Sequence, residues 1–291
     1  MKEAALVSVI IPAYNAEKYV ESAVRSIMTQ TYKNLEILVT DDCSTDSTLE
    51  ILNRLAKEDC RIIVYHNEQN KGIVKTLNDL VSRANGKYIA RMDADDISLP
   101  KRIEKQVAYM QKHINIMILG CNVTHIDGFG NSIFRPIIPC TSVMVKNMRY
   151  FRTCFYHPTV MLRAEIKNEY FYEDKYQYAE DYALWLKILE SHRGNNLKQR
   201  LLLYRIHGEQ ISQQKTEKQI SVFLKIFQEY NFGIIKKQEI EVYARYIAAN
   251  EIVNTRILLN LLIRFFEKKK IILSPLLFLT LLHKFIKAKK C

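Results

Sequence analysis

The first hundred residues alternate between two hydrophobic periods. LVSVIIP (6–12), LEILVT (35–40), RIIVYH (61–66) and KYIARM (87–92) are short apolar runs rich in β-branched residues, the pattern of buried strands. Between the first two, EKYVESAVRSIMTQ (17–30) repeats apolar side chains at helical spacing, with Val20, Ala23, Val24, Ile27 and Met28 on one face. Residues 46–58 and 72–84 are also predicted as helices, the first N-capped by Ser44 or Asp46. Strands alternating with helices of this length imply βαβ units and a mostly parallel sheet. Such sheets bind ligands beyond the carboxyl ends of their strands.

That rule directs attention to the strand exits. They read Pro12-Ala13-Tyr14-Asn15, Asp41-Asp42-Cys43-Ser44, His66-Asn67 and Asp93-Ala94-Asp95-Asp96, so polar and acidic groups converge on one edge of the sheet. Asp93 and Asp95 form a D-x-D. Hard divalent ions take carboxylate oxygens, and Mg²⁺ or Mn²⁺ is commonly held by one or two carboxylates plus substrate phosphates. Taken alone, a D-x-D is more often an acidic surface turn. Further on, IMILGCNVTHID (116–127), a DGFGN turn (127–131) and TVMLR (159–163) predict strands and a hairpin. AEDYALWLKILESH (179–192) predicts a helix and LKQRLLLYRIH (197–207) a last strand. From about residue 216 the pattern is helical, and residues 257–290 combine apolar blocks with lysine clusters.

Composition narrows the classes. The chain has 291 residues and a formal net charge of +12. The charge leaves three kinds of partner: an anionic membrane surface, an anionic substrate, or nucleic acid. No helix-turn-helix, zinc or RNA-motif signature supports the last, and no nucleic-acid partner is expected. The six cysteines, at 43, 60, 121, 140, 154 and 291, show neither a CxxC pair nor zinc spacing. With no secretory signal, they read as reduced thiols of a cytosolic protein. No apolar run reaches the length of a membrane-spanning helix.

The order and spacing of VSVIIPAYN (7–15), TDDCSTDST (40–48), NKG (70–72) and GKYIARMDADD (86–96), with Pro100 beyond, resemble glycosyltransferase family 2. AEDYALWLK (179–187) and YRIHGEQIS (204–212) resemble the acceptor half of the same family, so the likeness runs over about residues 6–212. It implies a GT-A fold: a nucleotide-diphospho-sugar transferase with a Rossmann-like, mostly parallel sheet and helices on both faces. A catalytic domain would span 1–215, with a nucleotide-sugar half (1–110) and an acceptor half (111–215). Residues 216–291 would be a C-terminal helical, basic amphipathic extension. The implied activity is inverting transfer from a UDP-sugar to a hydroxyl of a glycan or lipid-linked glycan, in surface polysaccharide or lipopolysaccharide biosynthesis, assisted by Mn²⁺ or Mg²⁺.

The resemblance also assigns roles. Asp95 would ligate the metal, and Asp93 would contact the ribose or a metal-bound water. Asp42 would accept a hydrogen bond from the uracil N–H, with Asp41 as a neighbouring candidate. Pro12, Ala13 and Tyr14 would line the base pocket. Asp181, in the Glu180-Asp181 pair at a helix start, would be the catalytic base. Arg205 and His207 would face the diphosphate, His207 as a candidate further metal ligand. Each has a plainer reading. Asp41, Asp42, Ser44 and Asp46 also suit the start of a helix. Glu180 and Asp181 suit a helix dipole. Tyr14 suits simple packing, His207 a solvated strand end, His157-Pro158 a structural turn, and Trp185 a core position rather than a stacking platform for a sugar. The segment after NKG, IVKTLNDLV (73–81), departs from the small alanine-rich helix of the family, which leaves donor contacts from Lys75 and Asn78 open. The Q-x-x-R-W box and spanning helices of the processive synthases are absent, which favours transfer of one sugar or a few.

Basic and aromatic residues alternate in the tail, where Lys268–Lys270 and Lys284–Lys290 flank blocks containing Phe265, Phe266, Phe278 and Phe285. A basic amphipathic helix suits an anionic membrane surface, so residues 251–291 are expected to attach the protein peripherally to the cytoplasmic face. Packing on the catalytic domain is the alternative. Four other functions compete: a polyprenyl-phosphate glycosyltransferase, a sugar nucleotidyltransferase, a basic nucleic-acid-binding protein and a non-catalytic glycan-binding protein. The nucleotidyltransferase would need a glycine-rich basic loop near the N-terminus, which PAYNAEKY lacks.

Overall fold

A computed structural model of the chain describes residues 4–149, 153–207 and 216–230. Its strands are β1 (Val7–Ala13), β2 (Leu35–Asp41), β3 (Ile62–His66), β4 (Tyr88–Arg91), β5 (Ile97–Ser98), β6 (Ile116–Ile126), β7 (Ser132–Phe134), β8 (Met161–Arg163) and β9 (Arg193–Arg205). Its helices are α1 (Val20–Met28), α2 (Thr48–Glu58), α3 (Ile73–Arg83), α4 (Arg102–Lys112), α5 (Ser142–Met148), α6 (Glu180–Ser191) and α7 (Thr216–Glu229). The strands form one sheet in the order β3-β2-β1-β4-β8-β6-β9-β5, with β7 paired to β6. β1 to β4 are mutually parallel, β8 runs antiparallel between β4 and β6, and β6 and β9 are parallel.

The period-two alternation of each strand sends successive side chains into two separate cores, one on each face of the sheet. Val7, Val9 and Ile11 of β1 pack with α1, α2 and α4 through Val24, Ile27, Leu55, Ile103 and Met110. Ile10 points the other way, into a core shared with α3, α5 and α6. β4 divides alike, with Tyr88 and Ala90 on the first side and Ile89 on the second. This is why the strands read as continuous apolar runs: both faces are covered. α6 is buried nearly all round, from Tyr182 to Leu186 and at Ile188 and Leu189, which explains the poor amphipathicity of its sequence.

Several boundaries differ from the predicted ones. α1 begins at Val20, with turns over the preceding residues. α2 begins after Ser47, so neither Ser44 nor Asp46 is its N-cap. Ser44 Oγ accepts the Asn15 N–H (3.0 Å), while Asp46 Oδ1 accepts the Thr48 N–H (3.0 Å), still serving the first turn from one residue further out. α4, α5 and β5 had no counterpart in the predicted elements, and β9 begins four residues earlier than expected. α7 adds Ile220, Phe223 and Ile226 to the core of α6, with the Phe223 ring 4.9 Å from that of Tyr182. The segment 251–291 lies outside the described residues. Among the described residues no helix is long and apolar enough to cross a membrane.

Candidate active site

The exits of β1, β2 and β3 form one corner. Pro12 and Ala13 are buried opposite Thr40 and Asp41, and Tyr14 leaves the sheet with 51% of its surface exposed, its ring available to a ligand. Asp41 is fully buried. Its Oδ2 accepts from His66 Nδ1 (2.9 Å) and from the Ser44 N–H (3.2 Å). Asp42 accepts from Asn67 Nδ2 (2.8 Å), the Lys71 N–H (2.9 Å) and the Gly72 N–H (2.9 Å). Gly72, at φ 80°, occupies the left-handed region that glycine enters without strain, and this turns its N–H onto Asp42. The NKG tripeptide is thus a loop folded around a carboxylate. A carboxylate offers about four acceptor positions, so three donors leave Asp42 room for one more. Asn15 (φ 46°) and Cys43 (φ 62°) occupy the same left-handed region at the two neighbouring exits.

The exit of β4 is built differently. Arg91, buried at the strand end, grips both oxygens of Asp93, with Nη1 to Oδ2 at 2.6 Å. The Arg91 carbonyl is held by Arg102 Nη2 (2.6 Å), reaching across from α4. Burial pushes Arg102 down to about 10, and it still spans the gap between strand and helix. Asp93, Asp95 and Asp96 each place a carboxylate oxygen within 4.8 Å of the others. Asp96 is fully buried and accepts the Arg205 N–H on Oδ1 (2.8 Å), while its Oδ2 has no hydrogen-bond partner. Burial, then the charges of Asp95 and Asp93, holds Asp96 well above the ordinary carboxylate range. Burial also raises Asp93, although Arg91 pulls the other way, because Asp95 and Asp181 add repulsion. His207 sets Nε2 2.9 Å from Asp95 Oδ2.

This donor set fits a divalent cation. Two donors bound to one ion at ordinary distances stand roughly 3 Å apart, the spacing seen between His207 and Asp95. Asp96 Oδ2, buried and unpartnered, is the kind of acceptor that a cation satisfies. Arg205 has another task here. Its Nε donates to the Asp95 carbonyl (2.8 Å), and its Nη1 donates to the Asp127 (3.1 Å) and Gly128 (3.0 Å) carbonyls. Its guanidinium lies over Tyr19, 4.5 Å from the ring centre. It fixes the acidic turn rather than presenting itself to a ligand.

α6 supplies the third group. Tyr178 is held at φ 80°, a costly conformation for a bulky residue, immediately before the helix start. Asp181 Oδ1 accepts the Tyr182 N–H (2.7 Å), and Glu180 Oε2 is buried without a partner. Burial raises Asp181, and burial with the Asp181 charge raises Glu180 to about 7. Tyr172 and His157 lie alongside, with His157 Nε2 2.8 Å from Tyr172 Oη. Burial, then the Arg91 charge, pushes His157 well below its usual range and keeps it neutral. Asn78 exchanges two hydrogen bonds with the Tyr172 backbone (2.8 and 3.0 Å), so this donor-contact candidate is occupied in holding a loop. Trp185 is a core residue, packed on Phe155 and His157.

Sequence reasoning missed Arg91, Arg102 and Asp96 as parts of the site. Asp96 adjoins the D-x-D and stands among the acidic groups at that strand exit, and this adjacency is the signal for it. Arg91 carried a signal too: it is a charged residue inside a four-residue strand whose pattern is otherwise wholly apolar.

The acidic cluster at the exit of β4 and the buried carboxylates at the start of α6 belong to a chain similar to known glycosyltransferases. The sequence profile of Glycosyl transferase family 2 matches residues 8–171. An uncharacterized glycosyltransferase of Haemophilus influenzae is 38% identical over 222 residues, covering 73% of this chain and 69% of its own length. The UDP-Glc:alpha-D-GlcNAc-diphosphoundecaprenol beta-1,3-glucosyltransferase WfaP of Escherichia coli is 35% identical over 215 residues, covering 72% and 81%. The mannosyltransferase PcManGT of Pyrobaculum calidifontis, solved with GDP-Man and Mn²⁺, superposes with a TM-score of 0.64 at 16% identity, covering 98% of this chain and 81% of that one. The chain belongs to glycosyltransferase family 2 and has the GT-A fold.

Proposed function

We propose that this glycosyltransferase moves a single sugar from a UDP-sugar to a hydroxyl of a glycan or lipid-linked glycan, inverting the anomeric centre. The observation that carries the reading is the placing of the Asp93–Asp95–Asp96 cluster close enough to Asp181 for the two to repel. One set of carboxylates suits the diphosphate end of a donor, and the other suits a hydroxyl on its far side.

In this reading Tyr14, Pro12 and Ala13 flank the base, and the remaining acceptor position of Asp42 reads the uracil N–H. Asp41 is the buried support beneath it. Asp95, Asp96 and His207 would hold a divalent ion, Mn²⁺ or Mg²⁺, while Asp93, fixed by Arg91, would face the ribose or a metal-bound water. When bound, the ion acts as a Lewis acid toward the diphosphate oxygens. Asp181 takes the proton of the acceptor hydroxyl as the new O–C bond forms at the anomeric carbon. The bond from that carbon to the diphosphate breaks on the opposite face, and the UDP leaves with the electron pair. Desolvation raises Asp181 toward neutrality, which makes it a stronger base than a solvated aspartate. Glu180 supports it from the same helix turn.

The UDP-glucose donor and diphosphoundecaprenol-linked acceptor of WfaP support assigning both substrate classes to this chain, and similarity to the O-antigen biosynthesis glycosyltransferase WbnJ of Escherichia coli supports a place in surface polysaccharide biosynthesis. The domain division follows: 1–110 for the donor, 111–215 for the acceptor, and 216–291 as an extension whose first helix docks on the acceptor half.

A thermal-shift panel tests this. UDP-glucose, UDP-N-acetylglucosamine and GDP-mannose are each added with and without Mn²⁺, since a ligand selective for the native state raises its stability. A UDP-sugar is expected to shift the wild type more with Mn²⁺ than without. Asp95→Ala should lose the metal-dependent increment. A GDP-mannose shift larger than that of either UDP-sugar would overturn the donor, and an unchanged increment in Asp95→Ala would overturn the metal site.

A further inference from the structure

The segment from the β6–β7 turn to the start of α5 carries more exposed apolar surface than its place in the fold explains. Of the nine large hydrophobic residues exposed among the described ones, five fall between 129 and 143: Phe129, Ile133, Phe134, Ile137 and Val143. Phe129 is 95% exposed, Ile137 66% and Phe134 60%. Scattered exposed apolar residues are ordinary, but a concentration of them marks an interaction surface.

The turn that carries Phe129 and the chain leaving β7 are held by hydrogen bonds. Asp127 Oδ1 accepts the Phe129 (2.9 Å) and Asn131 (2.8 Å) N–H groups, and the Asp127 N–H bonds to the Asn131 carbonyl (2.9 Å). Gly130, at φ 93°, completes the turn. The strand leaving β7 is pinned by Arg200 Nη1 to the Pro136 carbonyl (2.9 Å). The root of the hairpin is held by Arg205 through the Asp127 and Gly128 carbonyls, the same side chain that fixes Asp95. The apolar tip therefore sits one residue from a contact to the cation corner.

Charge identifies the occupant. Residues 128–164 contain no Asp or Glu. Arg135 and Lys146 are exposed on this segment, and Lys198 on the adjoining strand β9. Aromatic and aliphatic side chains beside cations, with no acid among them, match a bilayer that has anionic headgroups over an apolar interior. A protein partner with an acidic rim would need no deep aromatic insertion at the most exposed position of the turn.

We propose that residues 129–143 dock on an anionic membrane surface, with Phe129, Phe134 and Ile137 entering the lipid beside the transfer site. This contact is separate from any made by residues 251–291, and it holds whichever sugar is transferred. It would bring the cation corner to the depth at which a lipid-linked hydroxyl emerges.

The test uses the full chain and sedimentation with vesicles of phosphatidylglycerol and phosphatidylcholine, against vesicles of phosphatidylcholine alone. The wild type is expected to sediment with the first and weakly with the second. The double variant Phe129→Ser/Phe134→Ser should bind the anionic vesicles at least about ten-fold more weakly, as loss of buried aromatic area requires. Its melting temperature and its UDP release with a lipid-free acceptor should match the wild type, which separates this proposal from the assigned activity. The single variant F129W gives a second readout, its emission moving to the blue when anionic vesicles are added. Unchanged sedimentation of the double variant, or an emission of F129W indifferent to vesicles, overturns the proposal. A change from dimer to monomer in the double variant with vesicle binding intact also overturns it and assigns the surface to a second copy of the chain.

Discussion

The two ends of the site hold their carboxylates by opposite means. At the proposed nucleotide end, Asp42 and Asp46 are surrounded by N–H and O–H donors, most of them backbone groups, and Asp41 takes two donors on Oδ2 while its Oδ1 is buried without a partner. At the proposed transfer end, Asp96, Glu180 and Asp181 are taken from water with few donors, and Asp96 and Glu180 likewise keep a buried oxygen without a partner. Where hydrogen bonds outweigh burial, as at Asp46, the carboxyl is held below its ordinary range; where burial wins, as at Asp96, Glu180 and Asp181, it is pushed up. In the proposed reading the first end holds a fixed shape, and the second is suited to gain a proton or to meet a cation.

The largest effect should come from removing the proton acceptor. Asp181→Asn keeps the size of the side chain and its acceptor for the Tyr182 N–H, and deletes only the basic oxygen. kcat/KM should fall about a thousand-fold, inside the range for loss of a general base. The UDP-sugar thermal shift should stay as in the wild type. A fall of less than about three-fold in UDP release would remove Asp181 from the reaction and end the contrast as drawn.

Next in size is the ion pair at the β4 exit. Arg91→Met deletes the grip on Asp93 and leaves a desolvated carboxylate facing Asp95 and Asp181. Breaking a buried pair from one side costs about 3–5 kcal/mol. Asp93 is 28% exposed at its side chain, so a loss of about 2–3 kcal/mol is expected in denaturant unfolding. A loss near zero would show that solvent already screens the pair, and that the transfer end is wetter than its geometry implies.

How legible each end was in the sequence follows from the same contrast. The proposed nucleotide end could be read from residue order because its acids follow strands directly, although Asp42 meets Lys71 and Gly72 across 29 and 30 positions. The transfer end joins residues far apart: His207 meets Asp95 across 112 positions, and Arg205 meets Asp96 across 109. Strand pairing and helix packing create those contacts, and no local pattern encodes them. Glu180 and Asp181 alone suit any helix start, so only the family resemblance gave them a role. α4 has Ile103, Val107 and Met110 at helical spacing and was legible in principle. What could not be read was that Arg102, on its buried face, would reach the Arg91 carbonyl.

Glu180 turns the contrast into a pH measurement. Its native value is raised from 4.5 to about 7 by burial and by the Asp181 charge, with Arg91 opposing. Tyr172 faces the same group and stays neutral, because burial raises it. The native state therefore binds more protons than the unfolded state between those values, and stability falls as pH rises through that window. Glu180→Gln removes the share of that slope that Glu180 contributes. The variant should match the wild type near the lower limit and exceed it above the upper one, by on the order of 1–3 kcal/mol. A wild-type stability that is level across this window would show that Glu180 is solvated.

Asp46 should show the smallest effect with the reverse sign. Burial opposes its ionisation, but the Thr48 hydroxyl and the Glu17 and Thr48 N–H groups outweigh it and hold Asp46 below its ordinary value of 3.8. The unfolded state then binds the extra proton, so this stabilisation is present above the ordinary value and is lost as pH falls through the native one. Asp46→Ala should cost about 1 kcal/mol near neutrality, the usual worth of such hydrogen bonds. The cost should shrink in acid as the wild type loses the same bonds. Asp46→Ala and Glu180→Gln thus predict stability differences that diverge from the wild type in opposite directions as pH rises. If both differences carried the same sign, the division between hydrogen-bonded and desolvated acids would fail, because the two carboxylates would then be governed by one common field rather than by their own surroundings.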